Sequence, residues 1–96
     1  FDGIDTGNKV LVECKNRSNH YNKYPTTMIG ADKIAYWQKH LPNYKLYFLV
    51  NFTNGSYYYE WNNDEIIEIA NGGRCDRGKP EYKDYCYVPI TLLNKL

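Results

Sequence analysis

No apolar run in this chain approaches the twenty or so residues needed to cross a bilayer, which excludes a helical membrane span within these 96 residues. Cysteine is scarce and odd in number. Cys14, Cys75 and Cys86 cannot all pair, and their spacing matches no zinc-binding pattern, so neither a disulfide scaffold nor a common structural zinc site accounts for the fold. Cys14 reads as a small buried hydrophobe inside an apolar strand, while Cys75 and Cys86 could meet across a hairpin. Net charge is only +1, so the overall balance singles out no class of partner. Repeats, linkers and low-complexity tracts are also missing, and one domain over residues 1–96 is expected.

What is present is aromatic. Hydrophobic residues make up 43% of the chain and aromatics 17%, with eleven tyrosines, enough for a modest core in which rings bury area while keeping a polar tip. Three Asn-x-Ser/Thr sequons begin at Asn16, Asn51 and Asn54; in so Asn-rich a chain they are expected by chance, and an intracellular, reduced protein follows. The first residue is Phe1 rather than Met, so we expect an excerpt or processed piece with part of the fold ahead of it. The abundance of Asn, Lys, Tyr and Ile suits an AT-rich genome, and a cellular, viral or phage source is left open.

Charge is unevenly distributed. Residues 9–45 hold seven Lys/Arg (9, 15, 17, 23, 33, 39 and 45) against Glu13 and Asp32, whereas residues 46–96 hold five against seven acids. A basic first half suits a polyanionic ligand as well as it suits an ordinary lysine-rich surface.

The pattern of elements predicts a mixed α/β (α+β) domain, ordered β-β-α-β-β with a C-terminal tail. Residues 1–15 read as a hairpin turning at 5–8 (DTGN). Residues 16–25 are polar and irregular, a loop. From about 27 to 41, Ala31, Ile34, Trp37 and Leu41 recur at helical spacing, with Thr26 or Thr27 available as the cap and Pro42 as the stop. KLYFLVNF, residues 45–52, is a continuous apolar run that predicts a strand covered on both faces. Asn54-Gly55 turns it into a second strand, 56–61. Residues 65–70 (EIIEIA) fit a strand or a helical turn equally. Asn71-Gly72-Gly73 then breaks the chain, 74–84 is a charged loop, 85–88 a last strand and 90–96 a short helix.

Chemistry concentrates in the first hairpin. Sheet side chains alternate, so Leu11, Glu13 and Lys15 share one face of their strand and Val10, Val12 and Cys14 the other. With a two- or four-residue loop that sets Ile4 opposite Lys9, Asp2 faces Leu11, one pleat from Glu13 and on its side of the sheet. A three-residue loop puts Asp2 on the wrong face. In the productive register two carboxylates converge beside an ammonium, and adjacent carboxylates repel unless a cation or a proton intervenes. All-oxygen ligation with room for water suits Mg²⁺ or Mn²⁺.

Asp2 followed by Glu13-Cys14-Lys15 at the end of an apolar strand resembles the signature of the PD-(D/E)xK nuclease superfamily, the restriction-endonuclease-like fold. The likeness covers roughly residues 1–52, where hairpin, helix and apolar strand follow in the family's order. It implies a mixed sheet flanked by helices. It also implies metal ligation by Asp2, Glu13 and the carbonyl of Cys14, with Lys15 as catalytic lysine and a Mg²⁺- or Mn²⁺-activated water cutting phosphodiester bonds. DNA is favoured over RNA, the products carry 5′-phosphate and 3′-hydroxyl ends, and a homodimer or a partner domain is compatible with such an enzyme. Phe1 stands where the signature has proline, and the family's first helix would lie outside this chain. Gln38 is followed at the four-residue offset by Pro42 rather than the tyrosine found in some branches.

Other residues have weaker claims. Arg17 and Lys23, in the polar loop after the hairpin, are the best contacts to a nucleic-acid backbone, with Lys33 and Gln38 behind them. Arg74, Arg77 and Lys79 could add a second contact, diluted by Asp76 and Glu81. His20 and His40 read as solvated, and Tyr57, Tyr59 and Trp61 as packing rather than as stacking platforms for bases. Two rivals to the nuclease stay open. One is a non-catalytic nucleic-acid-binding or assembly domain of the same fold. The other is a β-rich interaction module in which the aromatics are the contact surface; the plainest reading of Glu13 and Lys15 is an exposed hairpin edge where their solvated charges merely blunt aggregation.

Overall fold

The first hairpin closes on a different pair of residues from the one predicted. In the computed structural model, which describes residues 1–65, 67–74 and 81–96 (side chains outside 71–74 and 81–83), β1 (Gly3–Asp5) and β2 (Val10–Asn16) are joined by residues 6–9. Asp5 stays in the strand and ties the turn. Its carboxylate accepts hydrogen bonds from the Gly7 and Asn8 amides at 3.0 and 3.1 Å and from the Asn8 side chain at 2.9 Å. Lys9 closes the loop at φ 56°, in the left-handed region. Gly3 therefore pairs with Val12, Ile4 with Leu11 and Asp5 with Val10, a shift of two residues from the predicted alignment. Two residues is one full pleat, so no side chain changes face. Asp2 simply moves from beside Leu11 to the position opposite Glu13.

The segment predicted as the start of the helix is a strand. Residues Thr26–Gly30 form β3, and α1 (Ala31–His40) begins only after them. Three of the four residues in Thr26-Thr27-Met28-Ile29 are β-branched, Thr27 and Ile29 alternate into the interior, and another strand is available as partner. Neither threonine caps the helix; Gly30 occupies that position without a side-chain bond. Beyond it the helical spacing holds. Ile34 and Trp37 are buried, and the Leu41 amide closes on the Trp37 carbonyl at 2.9 Å just before Pro42.

β4 (Lys45–Phe52) lies at the centre of a five-stranded sheet ordered β1-β2-β4-β5-β8, parallel to β2 and antiparallel to β5 (Gly55–Glu60). Its two faces are not equally covered, contrary to the reading of its apolar run. Leu46, Phe48, Val50 and Phe52 point into the core, while Tyr47, Leu49 and Asn51 are half-exposed on the outer face. The run is apolar because strands flank it on both sides and one face is sealed. The β4–β5 turn is Thr53-Asn54, one residue earlier than the predicted Asn54-Gly55, and Gly55 opens β5 at φ 151°.

Of the residues that fit strand or helical turn equally, Glu68–Ala70 are strand: β6 (Glu68–Arg74) runs through the Asn-Gly-Gly segment and pairs with β7 (Glu81–Pro89), so that segment does not break the chain. These two and β3 make a second sheet, ordered β3-β7-β6. The predicted terminal helix is instead a 3₁₀ turn, Ile90–Leu92, followed by β8 (Asn94–Lys95) beside β5. So short a segment cannot nucleate an α-helix on its own, and the free edge of β5 offers it backbone partners. The pairing of Cys75 with Cys86 and the basic group at Arg74, Arg77 and Lys79 lie outside the described side chains.

The result is an α+β arrangement with one α-helix among the described residues. A single buried cluster joins Leu11, Leu46, Phe48, Val50, Phe52 and Tyr59 of the first sheet to Ile29, Cys86 and Val88 of the second and to Ile34 and Trp37 of the helix. Because β2 and β4 are parallel, the chain must cross over between them. β3 and α1 are that crossover, and they bring the first turn of the helix to the end of β2 where the charged residues lie. Among the described residues no helix is long and apolar enough to cross a membrane.

Candidate active site

Glu13 continues the inward row of β2 begun by the fully buried Leu11, and it is itself only 4% exposed. A glutamate is rarely so enclosed unless it is paired. Here Lys15 Nζ lies 3.7 Å from Glu13 Oε2, its own side chain 40% exposed. β2 is an interior strand, hydrogen-bonded to β1 on one side and β4 on the other. The β1 pairing reaches only to Val12, but Glu13 points into the interior and so is not a solvated edge charge.

Asp2 completes the group from across the hairpin. Its amide donates to the Val12 carbonyl at 3.1 Å, and its carboxylate accepts from the Cys14 amide at 2.7 Å, extending the β1–β2 ladder where the backbone of β1 gives out. The bond from the Cys14 amide is the main reason the Asp2 carboxyl is held below its ordinary value. Desolvation opposes this, and the adjoining Glu13 side chain and Lys15 add to the lowering. Alternate residues of β2 direct their main-chain groups to opposite neighbours. The Arg17 amide bonds Asn51 of β4 at 2.8 Å, whereas the Val12 carbonyl and Cys14 amide face β1. A strand residue sends its N–H and C=O to the same side, so the Cys14 carbonyl also leaves β2 toward Asp2. The Cys14 side chain is on the opposite face, half-buried rather than buried as predicted, with the Asn51 amide 3.6 Å from its sulfur.

The sign of the Asp2 shift makes a prediction. A carboxylate whose folded pKa is depressed contributes fully above its unfolded value and loses that contribution as pH falls through the lower one. The Cys14 amide resonance should therefore titrate with a midpoint below 3.8, the ordinary aspartate value. In Asp2→Asn that titration should vanish while the hydrogen bond, now to an amide oxygen, persists. A midpoint above 3.8 would contradict the arrangement.

A narrow cavity of about 100 Å³ opens beside Glu13, lined by Glu13, Lys15, Arg17, Met28, Gly30, Lys33 and Tyr85. Three cationic side chains thus surround one buried carboxylate, a field suited to a polyanion. Arg17 does double service, since its guanidinium also donates to the Met28 carbonyl at 2.9 Å and ties the end of β2 to β3. Lys33, a weaker candidate by sequence, is brought to the cavity by the late start of α1. The other two are not. Lys23 is exposed, 5.6 Å from the Tyr24 ring centroid, and Gln38 is exposed and bonded to Asn63 at 2.9 Å, lining a different cavity. Tyr85 was missed, and the signal for it is the β3–β7 register: it pairs with Gly30, opposite which a large ring fits. His20 and His40 are exposed, as expected, and His40 packs on Tyr36 at 4.6 Å. Tyr59 is in the core and Tyr57 stacks on Tyr21 at 4.3 Å, so these rings serve packing.

With this geometry in view, the comparison with known families is decisive. Residues 4–96 match the model of the family described as "Phage putative PDDEXK endonuclease". The chain belongs to that family. The matched span of this phage PDDEXK family member includes Glu13, Cys14 and Lys15 and begins two residues after Asp2, so Asp2 is assigned from the hairpin geometry. No curated protein and no solved structure matched the chain.

Among the described residues no group of three His, Cys, Asp or Glu side chains converges, so a site built from three or four side-chain ligands has no donors. Two adjoining carboxylates and a main-chain carbonyl, all oxygen and open to water, fit Mg²⁺ or Mn²⁺ in this PDDEXK protein, since those ions keep several waters and take one or two carboxylates.

Proposed function

We propose that this chain is a metal-dependent endonuclease that hydrolyses phosphodiester bonds, with DNA as the favoured substrate and the interior of the phage-infected cell as its setting. The observation that carries the reading is the buried Glu13 of an interior strand, with Lys15 on one side and Asp2 against the other. Asp2, Glu13 and the Cys14 carbonyl would hold Mg²⁺ or Mn²⁺. When bound, the ion supplies a water of lowered pKa and neutralises charge on the phosphate. A restriction-endonuclease-like core is part of the same proposal, supported by the parallel β2–β4 pair and its β3–α1 crossover.

The chain's own residues do the rest. Lys15 orients the attacking water and sets positive charge where it builds in the transition state. Arg17 and Lys33, at the rim of the same cavity, hold the flanking phosphates. Water attacks phosphorus, the bond to the 3′-oxygen breaks, and that oxygen takes up a proton, leaving 5′-phosphate and 3′-hydroxyl ends.

The test is incubation of labelled single-stranded and duplex DNA with the protein in Mn²⁺ and in EDTA. Cleavage that requires the metal and leaves 5′-phosphate ends is expected. Absence of cutting under Mg²⁺ and Mn²⁺ alike, by a protein shown to be folded, would remove the enzyme reading and leave the non-catalytic binding domain.

A further inference from the structure

We infer that the groove between the β1–β2 hairpin and α1 holds one unpaired nucleobase of the bound strand, so that the substrate class is single-stranded or locally opened DNA rather than unbroken duplex. The inference rests on the nuclease reading for the kind of ligand and on separate residues for the site. The groove encloses about 470 Å³, within the range of small-ligand sites, and Phe1, Ile4, Asp32, Lys33, Tyr36 and Leu41 line it above a floor of Leu11. The Phe1 and Tyr36 rings lie 6.1 Å apart, inclined at 58°, and Tyr36 is 53% exposed.

Charge connects this groove to the carboxylates. Lys33 lines both cavities, and its ammonium lies 5.9 Å from the centroid of Phe1. A single cation thus stands between a groove bearing an exposed ring and the candidate catalytic cleft, the complement of a nucleotide's flat base and charged phosphate. The spacing agrees. Leu11 and Glu13 are two residues apart on one face of β2, about 7 Å, which a single nucleotide spans from base to phosphate. Asp32 at the rim can accept from exocyclic amino groups. A base within a duplex presents only its edges, because its faces are covered by stacked neighbours. The exposed ring of Tyr36 can stack only on such a face, and only an unstacked base offers one.

Binding measured by fluorescence anisotropy in EDTA, at one fixed salt concentration, keeps this test apart from catalysis. The probes are a short single strand, the duplex of the same sequence, and an equally long sugar–phosphate strand without bases. The wild-type protein should prefer the single strand over the base-free strand. Tyr36→Ala should lower single-strand affinity roughly 5- to 100-fold, with little change for the duplex. Tyr36→Phe, which keeps the ring, should bind as wild type. The inference fails if the base-free strand binds as well as the natural one, or if Tyr36→Ala binds as wild type. It fails too if that variant weakens duplex and single strand alike, as it would were the groove a docking site for protein. Base-dependent binding without cutting in Mn²⁺ supports the groove and removes the nuclease reading; cutting without base-dependent binding does the reverse.

Discussion

Glu13→Gln should give a folded protein that no longer gains heat stability from Mn²⁺ and no longer cuts DNA. The amide keeps the shape of the side chain in its enclosed position, so the sheet is retained, but it removes a charge the cation needs. A ligand that binds only the folded state stabilises it by about 2.7 kcal/mol at a hundredfold excess over Kd. In a domain of this size that is roughly 10–20 °C of melting temperature, and Glu13→Gln should lose nearly all of it. Lys15→Ala should behave differently. It removes no metal ligand, so the Mn²⁺ shift should survive while cleavage falls about 10²–10³-fold, the usual cost of losing one group aimed at transition-state charge. Melting curves and single-turnover cleavage on the two variants read the two roles independently. Loss of the metal shift in Lys15→Ala, or its survival in Glu13→Gln, would reverse the assignment.

The placement of Asp2 beside Glu13 in the candidate site was legible in the sequence because its decisive constraint is parity. Any even shift of the hairpin keeps Asp2 on the face of Glu13, so a turn placed one residue early, at Asp5 instead of Thr6, did no harm. Elements whose partners lie far along the chain were not legible. Thr26–Gly30 is a strand because β7, some sixty residues on, pairs with it, and helical spacing that starts at Ala31 looked continuous with it. Asn94–Lys95 is likewise a strand only because β5 leaves an edge free. Lys33 and Gln38 show the same limit at the site. Both belong to α1, five residues apart, about 140° out of phase at 100° per residue. Which of them meets the end of β2 is set by the crossover, and no local pattern records it.

Phe48→Ala should be the most damaging single change to the fold, because Phe48 is fully buried in the central strand. It is the register partner of Glu13 on one side and of Tyr59 on the other. Truncating a buried phenylalanine costs about 3–5 kcal/mol, against a total stability on the order of 5–15 kcal/mol for such domains. Each kcal/mol corresponds to about 4–8 °C of melting temperature at this size, so the variant should melt at least ten degrees lower or fail to fold. The void would open beside the enclosed flank of Glu13 and admit water to it, so any fraction that folds should also bind Mn²⁺ less tightly. The control is the adjacent residue. Leu49 points to the half-exposed face, and Leu49→Ala should cost about 1 kcal/mol, since partly exposed methyls lose less on truncation. Urea denaturation of the two variants measures the difference. Equal losses at positions 48 and 49 would mean that both faces of β4 are sealed, as its apolar run alone predicts.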